Sequence, residues 1–539
     1  MKNSPFKITT YKFNHCNFNE SNDFHCIYIL ENSKYAYIGE TLRIKERINE
    51  HRKKFQKYDF ERIHVITNDD MEETPAKHFE MLFIKLMKID GKFKIINKLD
   101  GNKTNYKRKI KFESLFDKIW DQLLAKELVK TKKFKFIMNL NSYKYSPYVE
   151  LNDEQTNALT HVINVLNSGE TDPYQNEYKR RPILIQGGAG TGKTVVATSL
   201  FHYLKNHNRY KNKKIGLVVA DKHMRDILKD IFKNVGEGIK KTDVISPIEL
   251  TKQKYDIIIC DETHALRRYD NLVSYKKNFQ LGNKRLGLNN NHDELDWILN
   301  QSDYQILFYD PKQCVRHSDI RDLYVKERIE NDKYREHRPI ELTTQMRVEA
   351  GKTYIDYIYD IFYQKAKKKI SFKNYHFKLF LSFKKMRKKI SDKDEQYELS
   401  KLCAGYAWKW ISKNDNSSHD IVIQEEKLRW NNYKTTNWVK SEESKYTMGS
   451  LYTLRGIDLN YSGVVIGPDL YFDKNDNEIK VNKKSLYSND VKRNATDEEI
   501  LKYVIHTYAI LLTRAIKGTY VYVCDDDLRE YLSSYIDTI

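Results

Sequence analysis

The chain has 539 residues, too many for one hydrophobic core, so its length points to about three or four packed units. Lys and Arg outnumber Asp and Glu by 94 to 74, a formal charge of +20, which favours a polyanionic partner, most simply nucleic acid, with DNA favoured and RNA compatible. Only 9 Pro and 20 Gly, six scattered cysteines with no CxxC pair, no apolar signal core in MKNSPFKITTYKF and no apolar run near ~18 residues exclude a long disordered linker, a disulfide or zinc frame and a membrane span, and a cytoplasmic location is expected.

The first elements lie near residue 26. Cys26–Leu30 and Tyr35–Gly39 are short β-rich runs around Glu31-Asn32-Ser33-Lys34, a hairpin signal. A helix-like stretch follows Glu40-Thr41 and places Arg47 and His51 four residues apart on one face. A second amphipathic helix, Ala76–Leu86, carries Glu80, and Asn97 follows the extended run Phe93–Ile96. This pattern resembles a GIY-YIG nuclease domain, with Tyr37-Ile38-Gly39 intact and Cys26-Ile27-Tyr28 carrying cysteine in place of the first glycine. The resemblance implies an α+β nuclease-like domain over 1–105. In it Glu80 would hold Mg2+, Arg47 would grip the phosphate, Tyr28 or Tyr37 would position or deprotonate water, His51 would be an alternative base, and Asn97 would orient or support. A binding-only version of the same module is the alternative.

Residues 106–148 read as a basic helical connector, with the flank KTNYKRKIKF and the amphipathic run Phe112–Trp120. Beyond it, Leu151-Asn152-Asp153-Glu154-Gln155 opens an amphipathic stretch, and the Gln155 amide, which both donates and accepts, suits an adenine edge. The apolar run Ile183-Leu184-Ile185-Gln186 leads into GGAGTGKT at 187–194, the strand, glycine loop and helix start of a phosphate-binding loop. Gly187, Gly188, Ala189, Gly190, Thr191 and Gly192 would turn backbone N–H groups toward a triphosphate, Lys193 would reach the outer phosphates, and Thr194 would offer a hydroxyl to Mg2+. Ile215–Ala220 and Tyr255–Cys260 read as buried parallel strands. The second ends in Asp261, for the metal, and Glu262, for the attacking water. Residues 267–300 read as a polar insertion. Gln305–Tyr309 is a fourth strand, and it brings Gln313 to where a polar group could sense the γ-phosphate of ATP.

LNDEQ, GGAGTGKT, DETH and FYDPKQ together resemble the first RecA-like domain of superfamily 1 helicases, placed at 149–345. The remainder, 346–539, resembles the second. Leu342–Arg347 is similar to the motif whose arginine reaches the γ-phosphate, Gly449–Asp458 to the motif coupling nucleotide to nucleic acid, and Tyr508–Ala515 to the motif carrying the arginine finger, Arg514. Guanidinium groups from a second domain stabilise phosphoryl-transfer charge only when the cleft closes, which joins hydrolysis to domain motion. Three departures stand out: Met346 where a tyrosine stacks on adenine in many members, Arg455 in place of a glutamine, and no aromatic at Ala220-Asp221-Lys222. Cys403–Trp410, Arg429-Trp430-Asn431 and Trp438 resemble bacterial ATPases related to the Schlafen helicase-like core, and the tryptophans read as packing anchors. In 365–389 lysines interleave with Phe372, Tyr375, Phe377, Phe380 and Phe383, and the alternation is read as a core strand with a solvated basic face in preference to a strand-gripping surface.

The expected fold is therefore α/β: two RecA-like parallel-sheet domains preceded by a small α+β domain. The expected function is an ATP-dependent translocase or helicase fused to a metal-dependent endonuclease, an architecture that resembles prokaryotic restriction and antiphage enzymes and is compatible with an oligomer or a defence-system partner. A nucleic-acid-activated ATPase switch that gates the nuclease without unwinding is the alternative.

Overall fold

The chain divides into two units, residues 1–149 with 230–239, and residues 150–229 with 240–539. The structure, a computed structural model, describes residues 6–16, 18, 25–97, 115–131, 141–147, 149–168, 181–235, 238–270, 272, 275–329, 339–413, 415, 417–432, 435 and 438–539. The basic run KTNYKRKIKF lies outside them.

In the N-terminal unit, β1 (Lys7–Lys12), β2 (Cys26–Glu31), β3 (Tyr35–Thr41), β4 (Arg62–Thr67) and β5 (Lys94–Ile95) form one sheet in the order β1-β4-β2-β3-β5. The expected hairpin is β2–β3, antiparallel, with Tyr28 opposite Gly39. Strand β2 is buried along its whole length, and its alternating side chains feed two cores. Ile27 and Ile29 join Phe79 and Phe83 of the helix Glu73–Asp90, whereas Tyr28 and Leu30 join Ile44 and Ile48 of the helix Ile44–Lys54. The sheet is thus covered on both faces, and the two helices that carry the candidate nuclease residues are fixed to it.

The segment expected to be a connector is part of this unit. Its helix Phe116–Ala125 places Phe116, Ile119, Trp120 and Leu123 in the same core as Phe79 and Phe83. The Asp90 carboxylate accepts from the backbone N–H groups of Lys130 and Thr131, each at 2.9 Å. An apolar stripe at i, i+3, i+4 and i+7 marks a buried face, and here that stripe outweighs the basic flank.

In the second unit, β6 (Arg181–Gly187), β7 (Ile215–Val219), β8 (Val244–Ile245), β9 (Tyr255–Asp261), β10 (Ser302–Tyr309) and β11 (Ile340–Leu342) form a sheet in the order β11-β6-β10-β9-β7-β8. Every pairing in it is parallel. The short apolar runs of β7 and β9 make central strands because they are buried on both faces, whereas the edge strand β11 leaves Glu341 exposed. Residues 267–300 are not a polar insertion: the helices Lys276–Leu286 and Glu294–Gln301 bury Phe279, Leu295, Trp297 and Ile298 against this sheet's core, and the Trp297 indole donates to Asn283 Oδ1 at 2.6 Å.

A second sheet follows, built from β12 (His376–Leu379), β13 (Ser400–Ala404), β14 (Ile421–Ile423), β15 (Glu426–Trp430), β16 (Thr447–Ser450), β17 (Leu459–Ile466), β20 (Ala515–Val523) and β21 (Asp537–Thr538), with β18 (Leu470–Asp473) and β19 (Glu478–Val481) as a separate hairpin. Its order is β14-β15-β16-β13-β17-β20-β12-β21, and it is parallel except for β14–β15. Trp430 and Trp438 are buried, and the Trp438 indole donates to Thr447 Oγ1 at 2.8 Å, as packing anchors do. The aromatics of the lysine-rich segment are in the core too: Tyr375, Phe377, Phe380 and Phe383 are all buried. Among the described residues no helix is long and apolar enough to cross a membrane.

Candidate nucleotide and nuclease sites

The glycine loop sits at the end of β6, between β10 and β11, and runs into the helix Lys193–Asn206. Two of its glycines adopt left-handed backbone, Gly190 at φ +83° and Gly192 at φ +82°. A Cβ on Gly190 would come within 2.1 Å of Gln345 Oε1, and one on Gly192 within 2.2 Å of Gln155 Nε2. Both conformation and space therefore demand glycine. In this state Lys193 Nζ donates to the carbonyls of Gly187 (2.7 Å) and Gly188 (3.1 Å) and lies 3.7 Å from Asp310 Oδ2. Asp310 Oδ2 in turn accepts from Gln313 Nε2 at 2.7 Å, so Gln313 reaches the lysine through a carboxylate.

The acidic pair stands across from the loop. Thr194 Oγ1 donates to Asp261 Oδ2 at 2.8 Å. Asp261 is fully buried, and its other oxygen, Oδ1, has no hydrogen-bond partner among the described residues. Burial and the neighbouring Glu262 raise the Asp261 carboxyl above its ordinary range. Glu262 occupies left-handed backbone, φ 55°, an uncommon state for a glutamate, which turns its side chain toward His264 Nε2, 2.7 Å away. Burial opposes its charge, but His264, Lys193 and Arg455 together hold the carboxyl ionised. An orphaned carboxylate oxygen beside a hydroxyl is the donor chemistry of Mg2+, so Thr194 and Asp261 fit that ion.

The run that follows β11 folds over the loop. Glu154 accepts from Thr343 N (3.0 Å), Thr344 N (2.9 Å) and Thr343 Oγ1 (2.5 Å), fixing the run that leaves β11. Gln345 Nε2 then donates to Ala189 O at 2.7 Å, and Met346 N to Gly190 O at 2.8 Å. This places the Arg347 Cβ 2.9 Å from where a Gly190 Cβ would be. Arg347 Nε is 2.5 Å from Asp458 Oδ1. Arg514 is buried, and Thr513 before it lines a cavity of about 240 Å³ together with Gly187, Gly188, Lys312, Gln345 and Tyr359. The Gln155 amide is already committed: its Oε1 accepts from Asn152 N at 3.1 Å and its Nε2 donates to Thr191 O at 3.0 Å. It braces the loop, where an adenine contact was expected, and Met346 is exposed beside it.

Sequence reading missed Asp310, His264 and Asp458 as partners in this site and treated Arg455 only as a departure. Arg455 is buried, its Nη2 has no hydrogen-bond partner among the described residues, and its charge bears on both Glu262 and Asp319. The adjoining Gly456, at φ +72°, would meet Met224 Sδ at 2.6 Å if it carried a Cβ, so the turn is pressed against the first domain.

In the N-terminal unit Tyr28, Tyr37 and His51 pack together, and the charges of Arg47, which donates to Glu50 at 3.0 Å, and of Glu80 bear on both tyrosines. Tyr28 Oη and His51 Nε2 are 2.7 Å apart, and the rings of Tyr37 and His51 lie 5.0 Å apart in an edge-on contact. Gly39 gives the Tyr28 hydroxyl its place, since a Cβ there would come within 2.2 Å of it. Asn97 is structural: its Oδ1 accepts from Ile38 N at 3.0 Å and its Nδ2 donates to Ile38 O at 2.7 Å. Burial and the Tyr37 phenol push Tyr28 above its ordinary value, and burial raises Tyr37 as well, so both remain phenols near neutral pH. Burial, with the charges of Arg47 and Lys54, lowers His51 to about 4 and keeps it neutral. Burial and Glu40 raise Glu80 to about 7, against the pull of Arg47 and Lys77. No group of three or more His, Cys, Asp or Glu is arranged for a metal among the described residues. The donor chemistry here is one carboxylate crowded by another, which suits Mg2+ shared with a substrate phosphate.

A glycine loop on one parallel sheet, capped by a second parallel-sheet domain, defines an α/β protein with paired RecA-like domains. Residues 180–525 match the model of the Schlafen group 3 DNA/RNA helicase domain. The match spans more than half of the chain, and the protein belongs to that family. Residues 1–149 lie outside the matched range. An uncharacterized protein of Saccharomyces cerevisiae is 26% identical over 432 residues, 71% of this chain and 90% of its own length. Among solved structures, the arterivirus nonstructural protein 10 helicase shares 13% identity at a TM-score of 0.30, covering 66% of this chain and 62% of that one, so less than two thirds of that protein is spanned. The Pif1 helicase of Candida albicans shares 10% identity at a TM-score of 0.28, covering 72% of this chain and 97% of its own.

Proposed function

We propose that the protein is an ATP-hydrolysing nucleic-acid translocase or helicase whose N-terminal unit is a metal-dependent endonuclease. The observation that carries the motor reading is Thr194 bonded to Asp261 at 2.8 Å on a loop whose far wall is supplied by Gln345 and Arg347. Loop N–H groups donate to the phosphate oxygens of ATP, and Lys193 exchanges its two carbonyl partners for the outer phosphate oxygens. Thr194 and Asp261 hold Mg2+, which neutralises charge on the phosphates when bound. Glu262, kept ionised, orients the water, and Gln313 registers the γ-phosphate through Asp310 and Lys193. Arg347, released from Asp458, and Arg514 stabilise the charge that develops on the transferred phosphoryl group as the two domains close.

The nuclease reading rests on the convergence of Tyr28, Tyr37, Arg47, His51 and Glu80. The Tyr28 phenol takes a proton from water and passes its own to neutral His51, so the pair acts as one base. Arg47 stabilises negative charge on the phosphate, and Glu80 holds Mg2+, which polarises that phosphate when bound. A restriction or antiphage role is supported only by the joining of a cutter to a motor.

Purified protein incubated with labelled single- and double-stranded DNA and RNA, Mg2+, and with or without ATP tests both halves. Phosphate release stimulated by nucleic acid, together with strand cleavage that EDTA stops, is expected. Phosphate release that no nucleic acid alters contradicts the motor, and intact strands under every condition contradict the nuclease.

A further inference from the structure

The helix Phe383–Tyr397 has its charges in the reverse of the stabilising order. Its first two turns hold Lys384, Lys385, Arg387, Lys388 and Lys389, with no acidic residue in the first turn, whereas Asp392, Asp394 and Glu395 fall in its second half. The dipole makes the N-terminal end positive, so this arrangement costs stability. Lys384 with Lys388, and Lys385 with Lys389, are like-charge neighbours at i, i+4, which costs more.

Phe383, Met386 and Ile390 are buried, and the four lysines are exposed on the remaining surface. Arg387 is paired with Glu426, but among the described residues the side chains of Lys384, Lys385, Lys388 and Lys389 have no ion pair or hydrogen bond. The positive field extends to the adjoining strand: His376, at the start of β12, is lowered by burial and by Lys393, Lys378 and Lys389. A fold that accepts this much self-repulsion gains from it only when an anion is present.

We propose that this lysine face is a docking surface for the phosphate backbone of nucleic acid, separate from the nucleotide cleft; the inference rests on the nucleic-acid reading above. The helical rise sets lysines four positions apart about 6 Å along the axis, a ladder suited to successive charges on an extended polyanion. The neighbouring Phe377, Phe380 and Phe383 are buried, and the exposed Tyr446 lines the groove beside Lys384 and Lys388; the lysines themselves meet phosphate, so their contact is independent of sequence.

The test is the full chain carrying Lys384→Gln, Lys385→Gln, Lys388→Gln and Lys389→Gln, measured for binding to a labelled mixed-sequence single strand and its duplex over a series of salt concentrations. The slope of log affinity against log salt should fall by about 3 in magnitude, with affinity at least about tenfold weaker at moderate salt. Apparent Tm should hold or rise, since the repulsion is gone, and phosphate release without nucleic acid should be unchanged. The fourfold Lys→Arg variant should bind as wild type does. Wild-type slope and affinity in the glutamine variant overturn this inference alone. A wild-type chain that binds phosphatidylserine vesicles but neither nucleic acid overturns it together with the motor reading.

Discussion

Arg514→Ala should lower the turnover of ATP by about 10³–10⁵-fold while leaving nucleotide binding nearly intact. The asymmetry follows from where the residue stands. In the proposed function the phosphates are gripped by the loop and Lys193, all within the first parallel-sheet domain. Arg514 comes from the second domain, between the helix Asp497–Leu512 and β20, and the residue before it lines the cavity at the loop. In the proposed role its charge would act on the transferred phosphoryl group in the transition state and hardly at all on the ground state. Lys193→Ala should behave differently, losing affinity and turnover together. Stopped phosphate release and fluorescent-nucleotide titration, run on the same preparations, separate the two patterns. Equal turnover in Arg514→Ala and wild type would remove the second domain from the chemistry.

The second large effect is expected at the other end of the chain. Glu80→Ala should reduce strand cleavage by at least about 10²-fold and leave ATP hydrolysis unchanged. Glu80 stands on the helix Glu73–Asp90, whose other face is locked to the sheet by Phe79 and Phe83, so the substitution removes a carboxylate without opening the core. Its carboxyl is raised to about 7 by burial and by Glu40. Gel analysis of labelled strands, alongside phosphate release, gives the answer. Undiminished cleavage in Glu80→Ala would place the cutting chemistry elsewhere. A wild-type chain that never cuts would leave the unit as a binding module.

Much of this was legible in the sequence because the signals are local. GGAGTGKT needs left-handed glycines at 190 and 192, and an apolar run before it needs a strand; both are properties of a dozen consecutive residues. The β2–β3 hairpin was visible for the same reason. What failed depended on contacts between distant positions. The segment around Trp120 looked like a basic connector because its charges are adjacent, while its apolar stripe finds its partner at Phe79 and Phe83, some forty residues away. Residues 267–300 looked polar because Phe279 and Trp297 are outnumbered, although they carry the packing. The amide of Gln155 could be recognised as a donor and acceptor, but not that Thr191 and Asn152 would use both ends. Asp310 was passed over because its importance is purely geometric, as the carboxylate between Lys193 and Gln313. Arg455 shows the limit in the other direction: its departure from a glutamine was plain in the sequence, and only the fold shows that its charge faces Glu262.

The account turns on one cleft with two walls, and a structure of the protein with ADP, aluminium fluoride and Mg2+ examines it most directly. Arg347 should have left Asp458, and the guanidinium groups of Arg347 and Arg514 should both lie about 3 Å from the fluoride oxygen mimic, near hydrogen-bonding distance. A nucleotide seated on the glycine loop with Arg347 still on Asp458 and Arg514 turned from the fluoride would contradict it.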